Sequence, residues 1–153
     1  MSLGKEIKKS KPFDSLEQEA MLNVIRTADV LANEVADLLK PSGLSATQYN
    51  VLRILRGAGP DGLPCGEVAQ RMITRDPDVT RLLDRMEKRK LISRSREKHD
   101  RRVVCARIAA TGEKILADLD PLVIEAHRKQ LGHLTREQLR LFIELLELAR
   151  KRN

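Results

Sequence analysis

Residues 67–108 read EVAQRMITRDPDVTRLLDRMEKRKLISRSREKHDRRVVCARI, and the rest of the chain is organised around them. An apolar-periodic run covers residues 67–73, and a short polar break follows at 74–76. A second helical run covers residues 77–89, and two alternating segments within 91–108 predict a hairpin. Helix, turn, helix and basic hairpin together predict a unit that presents one helix and one loop to a nucleic-acid duplex.

The second helical run has an apolar stripe and a polar face. The stripe consists of Val79, Leu82, Leu83 and Met86. Asp76 at the cap and Pro77 at the first helical position predict where the helix begins. The other face carries Thr80, Arg81, Asp84, Arg85 and Lys88. On an isolated helix such a face is usually just solvated. Here the short helix, tight break and basic hairpin around it favour a surface that reads DNA.

The hairpin is predicted by period-two alternation on both sides of loop 97–102. The loop contains no glycine, so a tight two-residue turn is not expected. Asp100 precedes Arg101 and Arg102, and its carboxylate could hold one of the two guanidinium groups by a charge-assisted hydrogen bond. Because an exposed ion pair adds little stability, the predicted use of this pair is to fix the shape of the loop.

Amphipathic helices are predicted on both sides of this segment. Asp14 is the predicted cap of a long helix that stops at Pro41, and Thr111 is the predicted cap of the fifth helix. Pro121 lies inside the fifth helix and predicts a kink, or a split after Asp120. Capping boxes open two further helices, with Ser45 paired to Gln48 and Thr135 paired to Gln138.

The two ends of the chain carry more apolar surface than a small winged unit needs. Mutual packing of two chains is the natural outlet, and a two-fold dimer is its commonest form. Residues 1–13 are rich in lysine without an apolar period, and predict an arm that becomes ordered against a partner. The last helix is expected to end in the basic residues 150–152. The predicted fold class is mainly α with a small β-wing (α+β).

Composition favours a polyanionic partner. The 153 residues carry a formal net charge of +7, with much of the clustered Arg and Lys between residues 75 and 107. Lysine and arginine near phosphates release condensed counterions, so this balance suits nucleic acid. Trp is absent, and Phe and Tyr total three residues. Single-stranded bases need aromatic side chains to stack on, so a duplex is the favoured partner.

Other classes of function lack a matching pattern. Cys65 and Cys105 have no paired spacing, so neither a disulfide framework nor a zinc signature is predicted. His99, His127 and His133 fit no compact metal site. No glycine-rich phosphate loop or supported Ser–His–Asp arrangement indicates an enzyme, and no cofactor is predicted. A signal peptide and a membrane span are not expected, so the default location is cytoplasmic.

Several blocks of the sequence resemble the MarR family of bacterial transcription regulators. These are VTRLLDRMEKR at 79–89, LI at 91–92, DRR at 100–102 and ATG at 110–112. A long first helix, the segment LSATQYNVL at 44–52 and two closing helices follow the order of that family. The resemblance covers about residues 14–150. No single block would be specific, but several in one order are.

The resemblance implies a single MarR-type domain over residues 1–153, organised as a dimeric winged helix-turn-helix protein. Residues 44–108 would form the DNA-binding unit, and residues 14–40 and 111–153 the dimerisation helices. The implied function is a sequence-specific repressor of a palindromic operator, relieved by a small aromatic or anionic effector. Arg102 matches the family's wing arginine, with Asp100 as the residue that orients it. The implied DNA-binding residues are Thr74, Arg75, Pro77, Asp78, Thr80, Arg81, Arg85, Asp100, Arg101 and Arg102.

Two departures and two alternatives accompany this interpretation. Lys90 stands where the family usually has Gly, and a left-handed backbone there would cost roughly 1 kcal/mol. Pro77 replaces a common small polar residue, so one contact to DNA is expected to be missing. One alternative is an oxidant-sensing regulator that uses Cys65 or Cys105. The other is a helical interaction adaptor that does not bind DNA.

Overall fold

A computed structural model describes residues 1–151 of the chain. It is mainly helical with one small antiparallel sheet, which confirms the predicted fold class. The helices are α1 (Leu3–Glu6), α2 (Leu16–Leu39), α3 (Ala46–Ala58), α4 (Cys65–Arg71), α5 (Val79–Lys88), α6 (Ala110–Leu131) and α7 (Arg136–Arg150), with a short 3₁₀ turn at Lys40–Ser42. The strands are β1 (Leu63–Pro64), β2 (Ile92–Arg96) and β3 (Val104–Ile108). The predicted basic end of the last helix includes Arg152, which lies outside the described residues.

The three-stranded sheet joins the hairpin to the start of the helix-turn-helix unit. Strand β3 lies in the centre, between β1 and β2. Leu63 pairs with Ala106, and the β2–β3 register runs from Ile92 opposite Ile108 to Arg96 opposite Val104. Gly62 has φ +70°, and a Cβ there would lie 2.2 Å from the carbonyl oxygen of Ala106. Only glycine therefore fits where the chain enters this sheet.

One apolar core fixes α5 beneath this sheet. Leu82, Leu83 and Met86 are buried, and Val79 is half-buried, so the predicted stripe anchors the helix. They pack with side chains of α3, α6 and the strands, including Leu52, Leu55, Leu91, Ile92 and Leu116. Burying a side chain of this size contributes about 1.5–3 kcal/mol. The stripe therefore fixes which face of α5 points outwards.

Both predicted capping boxes are confirmed, but the cap of α2 differs. The side chains of Ser45 and Thr135 accept bonds from the backbone N–H of Gln48 and Gln138, which return the bond. In α2 the cap is Ser15, whose hydroxyl accepts from the N–H of Gln18 at 3.1 Å. The prediction of Asp14 as the cap is wrong because Ser15 has the extended backbone that a cap needs. Asp14 instead receives the side-chain amide of Gln18 at 2.9 Å.

The start of α5 also differs from the prediction. Asp78, not Asp76, is the cap, and its carboxylate accepts from the N–H of Arg81 at 3.0 Å. Asp76 accepts from the N–H of Asp78 at 2.8 Å, so it shapes the turn before the helix. Pro77 consequently lies outside α5. The physical reason is the backbone path, because Asp76 bonds to the N–H of Asp78 in a turn, and the helical backbone starts only at Val79.

Helix α6 departs from the predicted cap and from the predicted split after Asp120. It begins at Ala110 with Ala109 at the cap position and no side-chain cap bond, so Thr111 is not the cap. It also runs unbroken through Pro121, so the predicted split does not occur. Pro121 and Ala117 are both exposed, so water can reach the carbonyl that the proline leaves without a donor. Buried Leu119 and Val123 hold the helix on either side.

The terminal helices leave much of their apolar surface exposed. The predicted arm is partly ordered within the chain, because α1 places Leu3 on α2 with only 5% of its surface exposed. Helix α7 has no buried residue. Its Leu141, Leu145 and Leu148 are each more than half exposed. In residues 1–151, no helix is long and apolar enough to cross a membrane.

Candidate nucleic-acid interface

The outer face of α5 is polar, basic and open to solvent. Thr80, Arg81 and Arg85 are exposed on the side opposite the buried stripe, as predicted from the helical period. Lys88, in the last turn, is exposed beside them. Within residues 1–151 none of the three cations on this face forms an ion pair. Their charge is therefore available to an external anion.

The turn between α4 and α5 is held by three side chains. Asn50 of α3 accepts the N–H of Ile73 through its side-chain oxygen at 2.8 Å. Asp76 and Asp78 fix the residues that follow, as described for the start of α5. Thr74, Arg75 and Pro77 are exposed on this turn. The carboxylate of Asp78 is occupied in capping, so its contribution at this surface is to place the first turn of α5.

Asn50 was missed by the sequence analysis, because no local pattern links it to a turn 23 residues away. Its position on α3 gave no separate signal.

The wing tip is a compact loop built around Asp100. Its Oδ1 accepts the N–H of Arg102 at 3.0 Å and the Nε of the same residue at 3.2 Å. These bonds lower the pKa of the Asp100 carboxyl below its usual value, the backbone bond contributing most. The side chain of Arg102 is nevertheless 91% exposed. The guanidinium is thus oriented without being hidden, which agrees with the predicted pairing of Asp100 and Arg102.

A second arginine closes the same loop from the strand side. Arg96 donates from Nη1 to the carbonyl oxygen of Arg101 at 2.7 Å. The N–H of Glu97 donates to the carbonyl of Val103 at 2.9 Å. Arg101 itself projects into solvent. This use of Arg96 was not predicted from the sequence, because a side chain bound to a backbone carbonyl leaves no compositional trace.

Arg94 lies between the wing and α5 and was also missed. It donates from Nη2 to the carboxylate of Asp84, and to Oε1 of Glu87 at 3.2 Å. Only 20% of its side chain is exposed. The two carboxylates raise the pKa of the Arg94 guanidinium, Glu87 contributing most. A signal was present, because Arg94 shares the inward face of its strand with Ile92, and Asp84 and Glu87 are three residues apart on one helix face.

A further ion pair attaches the helix-turn-helix unit to the terminal helices. Arg56 of α3 donates to both carboxylate oxygens of Asp120 on α6, at 2.7 and 2.9 Å. Arg53 lies 3.8 Å from the same carboxylate. The Arg56 guanidinium holds the pKa of Asp120 below its usual value. The residues are 64 positions apart, so sequence reasoning had no means of pairing them.

Neither cysteine has the environment of a reactive thiol. Cys105 is buried in β3, and its Sγ donates to Oε1 of Glu97 at 3.1 Å. Burial, with the nearby carboxylate, raises the pKa of Cys105 to about 11. Burial also raises the pKa of Cys65. Because the thiolate is the form that reacts with oxidants, both shifts act against oxidation at neutral pH.

Chemistry other than binding finds little support at this surface. Among residues 1–151, no group of three or more His, Cys, Asp or Glu side chains is placed to hold a metal ion. The buried side-chain nitrogen and oxygen atoms of those residues all have hydrogen-bond partners. What the surface offers is an exposed basic helix face beside an exposed basic wing, the arrangement of a winged helix-turn-helix DNA-binding protein.

Comparison with known proteins agrees with this class. The MarR family model matches residues 44–104. Transcriptional regulator HosA of Escherichia coli O157:H7 is 31% identical over 114 residues, which span 74% of this chain and 78% of that protein. A crystal structure of a MarR transcription factor from Planctomyces limnophilus is 42% identical, with a TM-score of 0.68, and the match covers 90% of this chain and 99% of that one.

The fold extends to more distant structures. Bordetella bronchiseptica BpsR, solved in a study of how 6-hydroxynicotinic acid regulates its DNA binding, is 22% identical with a TM-score of 0.79. That match covers 94% of this chain and 100% of BpsR. The chain belongs to the MarR family, and it is a DNA-binding transcription regulator rather than an enzyme.

Proposed function

We propose that the chain is a homodimeric, sequence-specific repressor that binds a palindromic duplex operator and is released by a small aromatic or anionic effector. In this proposal residues 44–108 form the DNA-binding unit, and residues 14–40 and 111–153 build the dimer. The observation that carries this proposal is that the protein has both an exposed basic face on α5 and, at the wing tip, an arginine, Arg102, whose side chain is 91% exposed. A single duplex offers a major groove and a flanking minor groove to these two elements.

The face of α5 is assigned to the major groove. Thr80 and Arg81 lie in its first turn, the part of a recognition helix that reaches base edges. Arginine can bond guanine through two parallel hydrogen bonds, which gives Arg81 a base-reading role. Arg85 lies one turn later and is assigned to a phosphate. Thr74, Arg75 and Pro77 on the exposed turn, with Asp78 at the cap, complete the surface at the groove edge.

The wing is assigned to the minor groove beside it. A narrow minor groove concentrates negative potential and attracts an inserted guanidinium. Arg102 is oriented by Asp100 and exposed, so less of its freedom would be lost on binding. Arg101 adds a second positive charge at the wing tip, and we assign it to the phosphate backbone of the DNA.

The dimer is supported by exposed apolar surface on the terminal helices. On α7, Leu141, Leu145 and Leu148 repeat at four and three residues and form one exposed stripe. On α2, Met21 and Ile25 are 61% and 55% exposed. An apolar groove of about 460 Å³ separates α2 from α7. Monomers rarely leave apolar surface of this extent in water, and a second copy would cover it.

Release by an effector follows from how two recognition helices must be spaced. Because the dimer helices set the distance between the two DNA-binding units, a ligand that favours another spacing would lower operator affinity. BpsR supports an aromatic acid as the ligand class, because 6-hydroxynicotinic acid regulates its DNA binding. The direct trial is to add this acid to the protein–operator complex and to measure whether DNA is released.

The two alternatives carry less support. Oxidant sensing through Cys65 or Cys105 needs an accessible thiol with a lowered pKa, whereas both pKa values are raised. A helical adaptor without DNA-binding activity is not proposed, because the chain belongs to a family of DNA-binding regulators.

Selection of bound duplex fragments from a genomic library with the purified protein tests the proposal. We expect one enriched palindromic motif whose half-sites are about one helical turn apart, near 10 base pairs or a multiple of it. Enrichment of no motif, or of single half-sites without a fixed partner, would contradict a sequence-specific dimer. A control selection with Arg81→Ala and Arg102→Ala combined should lose the motif.

A further inference from the structure

Successive side chains on one face of β2 have three different environments. Ile92 is buried in the core under α5, Arg94 is mostly covered, and Arg96 is exposed and bonded to the tip of the loop. Residues two apart on a strand share a face, so the three form a line from the core to the wing tip. Arg94 is the middle position, where the hairpin leaves the core and passes α5.

The space between the hairpin and α5 at Arg94 is not filled by apolar packing. A crevice of about 310 Å³ lies between α4, α5 and the sheet, and Arg94 forms part of its wall. Its apolar lining includes Cys65, Val79, Leu83 and Val104. Where side chains do not interdigitate, packing alone does not fix the angle between two elements. Another interaction must therefore restrain how far the hairpin stands from α5.

Arg94 provides that interaction through two bonds to one helix. Its Nη2 donates to Asp84 and to Glu87, which lie nearly one turn apart on α5. A guanidinium held by two carboxylates is fixed in position and direction, whereas a single exposed pair is not. Both carboxylates belong to the same element that carries Thr80 and Arg81.

The same bonds argue against a direct contact between Arg94 and DNA. With two carboxylates bound and only 20% of its side chain exposed, the guanidinium has little charge to offer to a phosphate. Its neighbour in the line, Arg96, bonds to a backbone carbonyl of the loop. Both arginines of the strand face are thus engaged within the protein, while Arg102 at the tip is open.

We propose that Arg94 is a positioning residue that sets the distance and angle between the recognition helix α5 and the wing through Asp84 and Glu87. The inference rests on the proposed function, since it concerns how two groove-binding elements are held for one duplex. Pre-set spacing lets both elements bind without a further ordering cost, so the interaction acts on the selected site more than on random DNA.

The test compares three variants on a selected duplex and on a scrambled one. They are Arg94→Gln, the double variant Asp84→Asn with Glu87→Gln, and the combination of all three changes. Removing two negative charges raises affinity for any DNA, so the measured quantity is the ratio of specific to non-specific affinity. We expect that ratio to fall about tenfold in the first two variants, with no further fall when they are combined.

The salt dependence separates positioning from phosphate contact. We expect Arg94→Gln to keep the wild-type slope of affinity against salt, while the reference variant Arg102→Ala lowers it by about one. A slope lowered by Arg94→Gln to the same extent, with the double variant keeping the wild-type ratio, would mean that Arg94 contacts DNA and would overturn the proposal. Full additivity of the ratios would also overturn it.

Hydrogen exchange on the free protein keeps this test apart from the proposed function. We expect the β2–β3 amides to exchange faster than in wild type in Arg94→Gln and in the double variant. In Arg102→Ala we expect the wild-type exchange rates. Unchanged exchange in the first two would refute the positioning role even if the protein binds DNA well. If the wild-type protein selects no duplex while the exchange rates change as expected, the proposed function is wrong. The positioning of the wing relative to α5 by Arg94 is then still supported.

Discussion

At the scale of single residues, two exposed arginines differ in how they are held. Arg102 is oriented by the carboxylate of Asp100, two residues away, while the guanidinium of Arg81 has no partner within residues 1–151. A guanidinium oriented at a loop tip suits a groove defined by width and potential. A guanidinium on a helix that the core fixes in place, such as that of Arg81, suits a contact with a base edge.

Substitution of each arginine by alanine should therefore give a different signature. For Arg102→Ala we expect weaker binding to all duplexes and a salt slope reduced by about one, because a positive charge that would lie in the minor groove between the phosphate backbones is lost. For Arg81→Ala we expect a loss of about 1–3 kcal/mol on the selected site and relaxed preference at one base pair. Fluorescence anisotropy over a salt series measures both. Lys129→Ala, an exposed change on α6, is the control.

An Arg102→Ala variant with wild-type affinity at every salt concentration would remove the wing from the interface. An Arg81→Ala variant that weakens scrambled and selected sites equally would assign Arg81 to phosphate.

Sequence reasoning at this scale located the surface more accurately than the small bonds within it. The helical period placed Thr80, Arg81 and Arg85 outside, where they are exposed. The sequence predicted Asp76 as the cap of α5, whereas Asp78 is the cap. Both residues fit the local capping rule, and only the path of the backbone separates them. Lys90, which stands where the family usually has glycine, has a left-handed backbone with φ 58°.

At the scale of elements, the ion pair between Arg56 and Asp120 joins α3 to α6. It is a bidentate pair about one-third exposed on each side. The pKa of Asp120 is lowered mainly by the hydrogen bonds from Arg56. A carboxyl with a lowered folded-state pKa stabilises the fold above its unfolded pKa, about 3.9, and this contribution is lost as pH falls through the folded value.

Asp120→Asn should therefore lower the free energy of unfolding at pH 7 by about 1 kcal/mol, a value reduced for the partial exposure of the pair. The difference from wild type should shrink as pH drops below about 4, where the wild-type carboxyl also loses its charge. Urea unfolding between pH 7 and pH 3 measures it. Asp118→Asn, at an exposed position on the same helix with no ion pair in residues 1–151, should change little.

A difference that stays constant down to pH 3 would contradict a stabilising charge on Asp120. Equal effects of the two substitutions would show that the pair with Arg56 does not join the elements.

Elements were predictable where the signal was local. The capping boxes at Ser45 and Thr135 needed only residues three apart, and both are present. Pro121 predicted a kink in α6 or a split after Asp120, and the split does not occur, because buried Leu119 and Val123 hold the helix on either side. The contact of Arg56 with Asp120 joins residues 64 positions apart, so no local pattern could assign it. The contact of Arg94 with α5 left a local signal, because Arg94 shares a strand face with Ile92, but its carboxylate partners are fixed only in the folded chain.

At the scale of the whole molecule, the exposed stripe on α7 is the feature that a single chain leaves unexplained. Removing each such leucine from water contributes about 1.5–3 kcal/mol, so a shared interface could hold two chains together. We expect Leu141→Glu combined with Leu145→Glu to give a folded monomer, measured by sedimentation velocity with helix content checked by circular dichroism. Glu144→Ala, an exposed change on the same helix, should leave a dimer.

A wild-type chain that sediments as a monomer at micromolar concentration would contradict the proposed assembly. So would a double variant that remains a dimer, because α7 would then lie outside the interface.

We propose that this chain reads duplex sequence with α5 and the wing together. The most direct test of this proposal is equilibrium binding of the wild-type protein to a selected palindrome, and to a scrambled duplex of the same length and composition, at near-physiological salt. We expect two chains per palindrome and an affinity at least about 10³ times higher than for the scrambled duplex. Equal affinity for the two duplexes would contradict it, even if both bind tightly, because charge alone would then explain the binding.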